Sequence, residues 1–121
     1  DPYSDFGRLA MELWRACRLV VDTGIHTQKW TREEGINYYV TNTPNAESDA
    51  VKMVERHVVM PSQATAYKIG MLKIVQLRAK AKQELGDKFD IRQFHDVVLT
   101  NGAVPLNVLE DMVNDYIAAN S

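Results

Sequence analysis

Several residue types are scarce in this chain of 121 residues. A single cysteine, Cys17, excludes an internal disulfide and a multi-cysteine zinc site. It lies in an apolar helical run and is expected to be a buried, inert thiol. No apolar run approaches the ~18 residues that a membrane span requires. Charge of one sign is lacking too. Fourteen Lys and Arg against sixteen Asp and Glu leave a formal charge of −2, which gives no basic field and argues against nucleic acid as the main partner. Only four prolines and six glycines interrupt the sequence. Between them the apolar residues recur at helical spacing rather than alternating, so strands are not expected. No repeat, low-complexity tract or linker divides the chain, and one helical domain is expected.

What is present is ordinary for a folded protein. Hydrophobic residues make up 45% and charged residues 25%, enough for a modest core and unlike a disordered segment. No charged-then-apolar secretory signal opens the chain. Its start, Asp1-Pro2-Tyr3-Ser4-Asp5, reads like mid-protein sequence, so a fragment of a larger protein is expected.

Six helices can be placed. The first runs from about Ser4 to Asp22, with an apolar stripe of Leu9, Leu13, Ala16, Cys17 and Val20 and Gly24 as its C-terminal stop. A loop from Ile25 to Trp30 follows. Thr31-Arg-Glu-Glu34 has the form of a capping box and starts a second helix, which Asn42-Thr-Pro44-Asn45 ends. A third spans roughly Ala46 to Val58, with Val51, Val54 and Val58 inward. Pro61 suits the first turn of a fourth, long helix, continuing through Ala64, Tyr67, Met71, Ile74 and Leu77 to Gly86. Asp90 caps a fifth, Ile91 to about Leu99, and Pro105 starts a sixth. The expected class is all-α.

Three polar constellations carry the chemistry. Asp22 and His26 lie four residues apart across the predicted turn. They suit either an acid-oriented general base or a helix end where His26 bonds a free carbonyl while Trp30 packs below. Glu55-Arg56-His57 is either an ion pair on a solvated face or a holder of a substrate carboxylate or carbonyl. Gln63 and Tyr67, at i,i+4, share one helix face. The phenol could donate to a developing oxyanion or simply sit half buried between helices. Tyr38 and Tyr39 read as packing. The histidines His26, His57 and His95 are far apart, and none pairs with another at the spacing of a helical zinc site. No metal ligands are assigned in this chain.

Four segments, taken together and in order, resemble the C-terminal part of the bacterial domain-of-unknown-function 885 proteins. They are Arg15–His26, Glu55–His57 with Pro61–Gly70, Leu77-Arg78, and Phe89 to Leu106. That family in turn resembles the largely helical zinc metallopeptidases of the angiotensin-converting enzyme and thimet oligopeptidase type. The resemblance implies a larger metallopeptidase-like fold whose zinc-binding helix lies upstream, so zinc is expected in the full-length protein and no cofactor in this chain. It implies a peptide or amide substrate, and Tyr67 and His57, ten residues apart, as the pair that steadies the tetrahedral intermediate. The related family commonly has Tyr where His57 stands here. Asp22, His26, Arg56 and Gln63 match recurrent positions and are taken as substrate-side residues.

Two readings follow. The chain is the substrate-side portion of a zinc-dependent peptidase-like hydrolase, inactive alone, with the rest of the parent protein as its partner. Alternatively it is a non-catalytic helical interaction module. The first reading also implies apolar surface where the missing part docks, and a homo-oligomer through that face. The resemblance further implies a periplasmic or exported protein.

Overall fold

A computed structural model describes residues 1–121. It is all-helical, without strands: α1 (Pro2–Gln28), α2 (Arg32–Asn42), α3 (Glu47–Val59), α4 (Gln63–Leu85), a 3-10 turn (Gly86–Lys88), α5 (Ile91–Thr100) and α6 (Leu106–Asn120). Two compact units make up the chain, Asp1–Ile69 and Gly70–Ser121. No helix is long and apolar enough to cross a membrane.

In the first unit α1, α2 and α3 pack around Trp14, Cys17, Val21, Ile36, Tyr39, Ala50 and Val54. Trp14 and Tyr39 lie ring to ring, with centroids 4.7 Å apart. The inward face of α1 is therefore Trp14-Cys17-Val21, rotated from the expected stripe. Leu9 and Leu13 are exposed, as are Tyr3 and Phe6 one and two turns before them. The larger ring of Trp14 and the branched Val21 take the core position. In α3 the inner place expected for Val58 goes to His57, while Val58 is exposed.

In the second unit Leu77, Ala81, Leu85, Phe94, Leu109, Val113, Tyr116 and Ile117 form the core. They come from the later turns of α4 and from α5 and α6 at the three-four spacing visible in the sequence. Asp90 accepts from the Arg92 N–H and caps α5. Gly86, at φ 54, ends α4.

The capping box of α2 is present: Thr31 Oγ1 accepts from the Glu34 N–H at 3.2 Å, and Glu34 Oε2 from the Thr31 N–H at 2.7 Å. Two helix ends differ from expectation. The helix expected to stop at Gly24 continues to Gln28, and Lys29, in the left-handed region at φ 60, is its C-cap. Gly24 serves a different purpose. A Cβ there would lie 2.5 Å from Trp30 Cδ2 and Cε3, so the glycine lets the indole lie directly on the α1 backbone, and the Trp30 N–H donates to the Gly24 carbonyl at 3.0 Å. The fourth helix begins at Gln63 rather than Pro61, because Ser62 sits at φ 64, outside helical geometry.

Gly24→Ala separates these two roles. In an unconstrained helix interior the change would stabilise by ~1 kcal/mol. Overlap with a rigid indole costs about 1–3 kcal/mol, so a net loss of stability in urea denaturation is expected. In a Trp30→Ala background the same substitution should become stabilising. A stabilising effect in the presence of Trp30 would contradict the packing role.

Candidate functional site

Asp22 lies in the α1 turn that faces the head of α4, and it is 1% exposed. Its Oδ1 accepts from the Ser62 N–H at 3.1 Å, and its Oδ2 from the Thr65 N–H at 3.1 Å and the Thr65 hydroxyl at 2.8 Å. A helix start leaves backbone N–H groups without intrahelical partners and carries partial positive charge. A buried carboxylate satisfies both conditions from another helix. Because α1 continues past Gly24, His26 stands one turn beyond Asp22, with its Nε2 3.5 Å from Asp22 Oδ1. The same Nε2 is 2.9 Å from the His57 carbonyl. A carbonyl only accepts, so His26 carries its proton on Nε2 and donates. The free carbonyl anticipated for His26 thus belongs to α3 rather than to its own helix.

His57 is 1% exposed. Its Nε2 lies 2.7 Å from the Tyr39 hydroxyl. Loss of solvation pushes its pKa down to about 4, against a smaller opposing pull from Asp22, so the ring is neutral near pH 7. Burial also raises Tyr39 above the ordinary phenol range. The protonated phenol and the neutral imidazole therefore share one hydrogen bond between the Tyr39 hydroxyl and His57 Nε2. Tyr39 had no polar argument in the sequence. Only the fold brings it opposite a residue eighteen positions away.

Tyr67 is 42% exposed on the second turn of α4. Its hydroxyl is 3.2 Å from Gln63 Nε2, the i,i+4 neighbour, so the pair expected from spacing is hydrogen bonded. The Gln63 Oε1 accepts from Arg18 Nη2 at 2.9 Å. Two guanidiniums lie over the Tyr67 ring, with Arg15 Cζ 4.5 Å and Arg18 Cζ 5.0 Å from its centroid. Such contacts are cation–π attractions. Arg15, Arg18, Asp22 and His26 are separated by three or four residues and form one stripe along α1. Sequence reasoning did not assign the two arginines to a site. Their i,i+3 spacing was visible, but the ring that collects them was not.

Arg56 lies on the exposed side of α3, and the ion pair of that segment is made by Glu55 instead, with Arg32 at 2.7 Å. The structure thus brings Arg15, Arg18, Gln63 and Tyr67 together at the surface and places His57 in the core. No group of three or more His, Cys, Asp or Glu is arranged to hold a metal ion. The residues of this chain do not fit a zinc site.

The family model described as "Bacterial protein of unknown function (DUF885)" matches residues 1–113. A crystal structure of "the putative lipoprotein from Colwellia psychrerythraea" is similar over 98% of this chain, at 56% identity and a TM-score of 0.95. The chain spans about a fifth of the length of that protein, 20%. A comparison with curated proteins gives no match. Neither similarity names a peptidase.

The depressed pKa of His57 has a measurable consequence. The unfolded chain takes up a proton near the ordinary histidine value of ~6.5, while the folded chain does so only near 4. Between these values the unfolded state binds more protons, so stability falls as pH drops from about 6.5 towards 4. His57→Gln should reduce that slope by up to ~1.4 kcal/mol per pH unit, the effect of one proton. Urea midpoints measured across this range for both proteins check it. Parallel pH profiles would show that His57 does not titrate as assigned.

Proposed function

The chain belongs to the bacterial DUF885 family, and we propose that it forms the substrate-side portion of a larger hydrolase that cleaves peptide or amide bonds. The observation that supports this most is the exposed Tyr67 hydroxyl, oriented by Gln63 and set beside two guanidiniums. A phenol held in this way can donate to a carbonyl oxygen as that oxygen gains negative charge. This effect acts more strongly on the transition state than on the bound substrate.

In this reading Tyr67 is the catalytic residue of the chain, and Gln63 orients its hydroxyl. Arg56, exposed at the end of α3, contacts substrate. Asp22, His26 and His57 are positioning residues: the first fixes the head of α4, and the other two join the end of α1 to that of α3. This changes the expected part of His57, whose ring has Tyr39 as partner inside the core. The group that activates the attacking water belongs to the rest of the protein. Any zinc ion implied by the family resemblance would be held there as well.

The similar Colwellia protein is described as a lipoprotein. We extend that to an exported, lipid-anchored setting for the longer protein of which this chain forms a part.

Replacing Tyr67 with Phe in the full-length protein tests the catalytic assignment. A donor used in the transition state predicts a fall in kcat of about a hundredfold, with KM changed far less. Gln63→Ala should show a weaker effect of the same kind. A Tyr67→Phe enzyme with normal kcat would remove Tyr67 from the chemistry and favour a non-catalytic helical module.

A further inference from the structure

The guanidiniums over Tyr67 have an unbalanced charge. Arg15 and Arg18 share one ring, at 4.5 and 5.0 Å from its centroid, yet neither has a carboxylate within ion-pair distance. The acidic groups on the same helix are engaged elsewhere. Glu12 pairs with Arg8 at 3.4 Å and with Lys68 at 3.1 Å, and Asp22 is taken up by the Ser62 and Thr65 groups. The acceptor Arg18 does have is a neutral amide oxygen, Gln63 Oε1. Its Nε is buried without any hydrogen-bond partner. Two like charges gathered at one ring repel, and an unmatched buried donor adds to that cost. The ring and the Gln63 bond nevertheless hold the pair in place. A preorganised, uncompensated cation pair at the surface is a receptor for an anion.

We propose that Arg15 and Arg18, seated on Tyr67, bind a carboxylate of the substrate. This rests on the reading of the protein as a peptide or amide hydrolase only for the identity of the ligand, not for the existence of the site. A carboxylate suits it better than a nucleic acid or a phosphate dianion. Planar guanidinium forks match a planar carboxylate, only two cations converge, and the chain as a whole is acidic at −2. The anchored group is either an acidic side chain or a free peptide C-terminus, both of which present the same chemistry. Bound there, it lies at the Tyr67 ring, so the site would select substrates with a carboxylate close to the scissile bond.

Binding can be read without turnover. The 121-residue chain, labelled with 15N in its arginines, is titrated with three probes while the Arg Nε–Hε signals are followed by NMR. The probes are an acetylated, amidated peptide containing one Glu, a neutral acetylated peptide with a free C-terminus, and inorganic phosphate. At least one peptide should shift the Arg15 and Arg18 signals saturably, and whichever does so identifies the source of the carboxylate. Arg15→Gln and Arg18→Gln should each weaken that binding about tenfold, the loss of one charge-assisted contact. Arg8→Gln, which removes a guanidinium already paired with Asp5 and Glu12, should leave it unchanged.

If Arg18→Gln fails to fold, as judged by circular dichroism, Arg15→Gln carries the comparison. Absence of saturable shifts with both peptides, phosphate binding as tightly as either, or full affinity in Arg15→Gln would overturn the site. Tyr67→Phe is expected to retain most of the binding, because the ring remains. Lost catalysis with retained binding and retained catalysis with lost binding therefore separate the hydrolase reading from this one.

Discussion

The Asp22 carboxylate at the head of α4 is the contact on which the polar face of the first unit depends. Three donors converge on it from Ser62 and Thr65, in a place almost closed to solvent. Bonds to a charged acceptor are worth roughly 1.5–3 kcal/mol each, about twice a neutral one. They have to offset the desolvation of a buried carboxylate, which is itself large. The balance favours the folded arrangement because the donors are helix-start amides that would otherwise lack partners. The carboxylate also holds Ser62 in its left-handed conformation. From that point α4 leaves with Gln63 and Tyr67 facing the stripe of α1 that carries Arg15 and Arg18.

That geometry explains why one run of residues serves two ends. Arg15, Arg18, Asp22 and His26 follow one another along a single helix face, but their environments differ. Asp22 is enclosed and His26 is tied to the His57 carbonyl, so this half of the stripe fastens α1 to α3 and α4. Arg15 and Arg18 meet an exposed ring and no carboxylate, and it is to this half that the proposed carboxylate would bind.

The sequence was most informative where the signal was local. The Thr31–Glu34 capping box and the Asp90 cap depend on neighbours in the chain, and both are found as expected. The Gln63–Tyr67 pair was legible for the same reason. Gly24 misled because a glycine near a helix end has two uses. It can terminate the helix, or it can admit a ring against the backbone, and only the position of Trp30 decides between them. His57 read as surface chemistry because its neighbours Glu55 and Arg56 are polar, while a core tyrosine that no spacing rule connects to it took its ring nitrogen. Arg15 and Arg18 were not legible as a site, since that required α4 to pass beside α1. Membership of the DUF885 family sets the context, and the chain is a small share of its similar crystallised relative.

The central claim is that Asp22 positions the head of α4 and, through it, the Tyr67 site. Asp22→Ala in the 121-residue chain tests it most directly, with amide hydrogen exchange at Ser62 and Thr65 and the Tyr67 ring resonances read in one experiment. Loss of the carboxylate should cost about 2–4 kcal/mol of stability, accelerate exchange at both amides, and shift the Tyr67 ring signals as its contact with Arg15 and Arg18 loosens. Unchanged exchange at those amides together with unchanged Tyr67 signals would contradict the account.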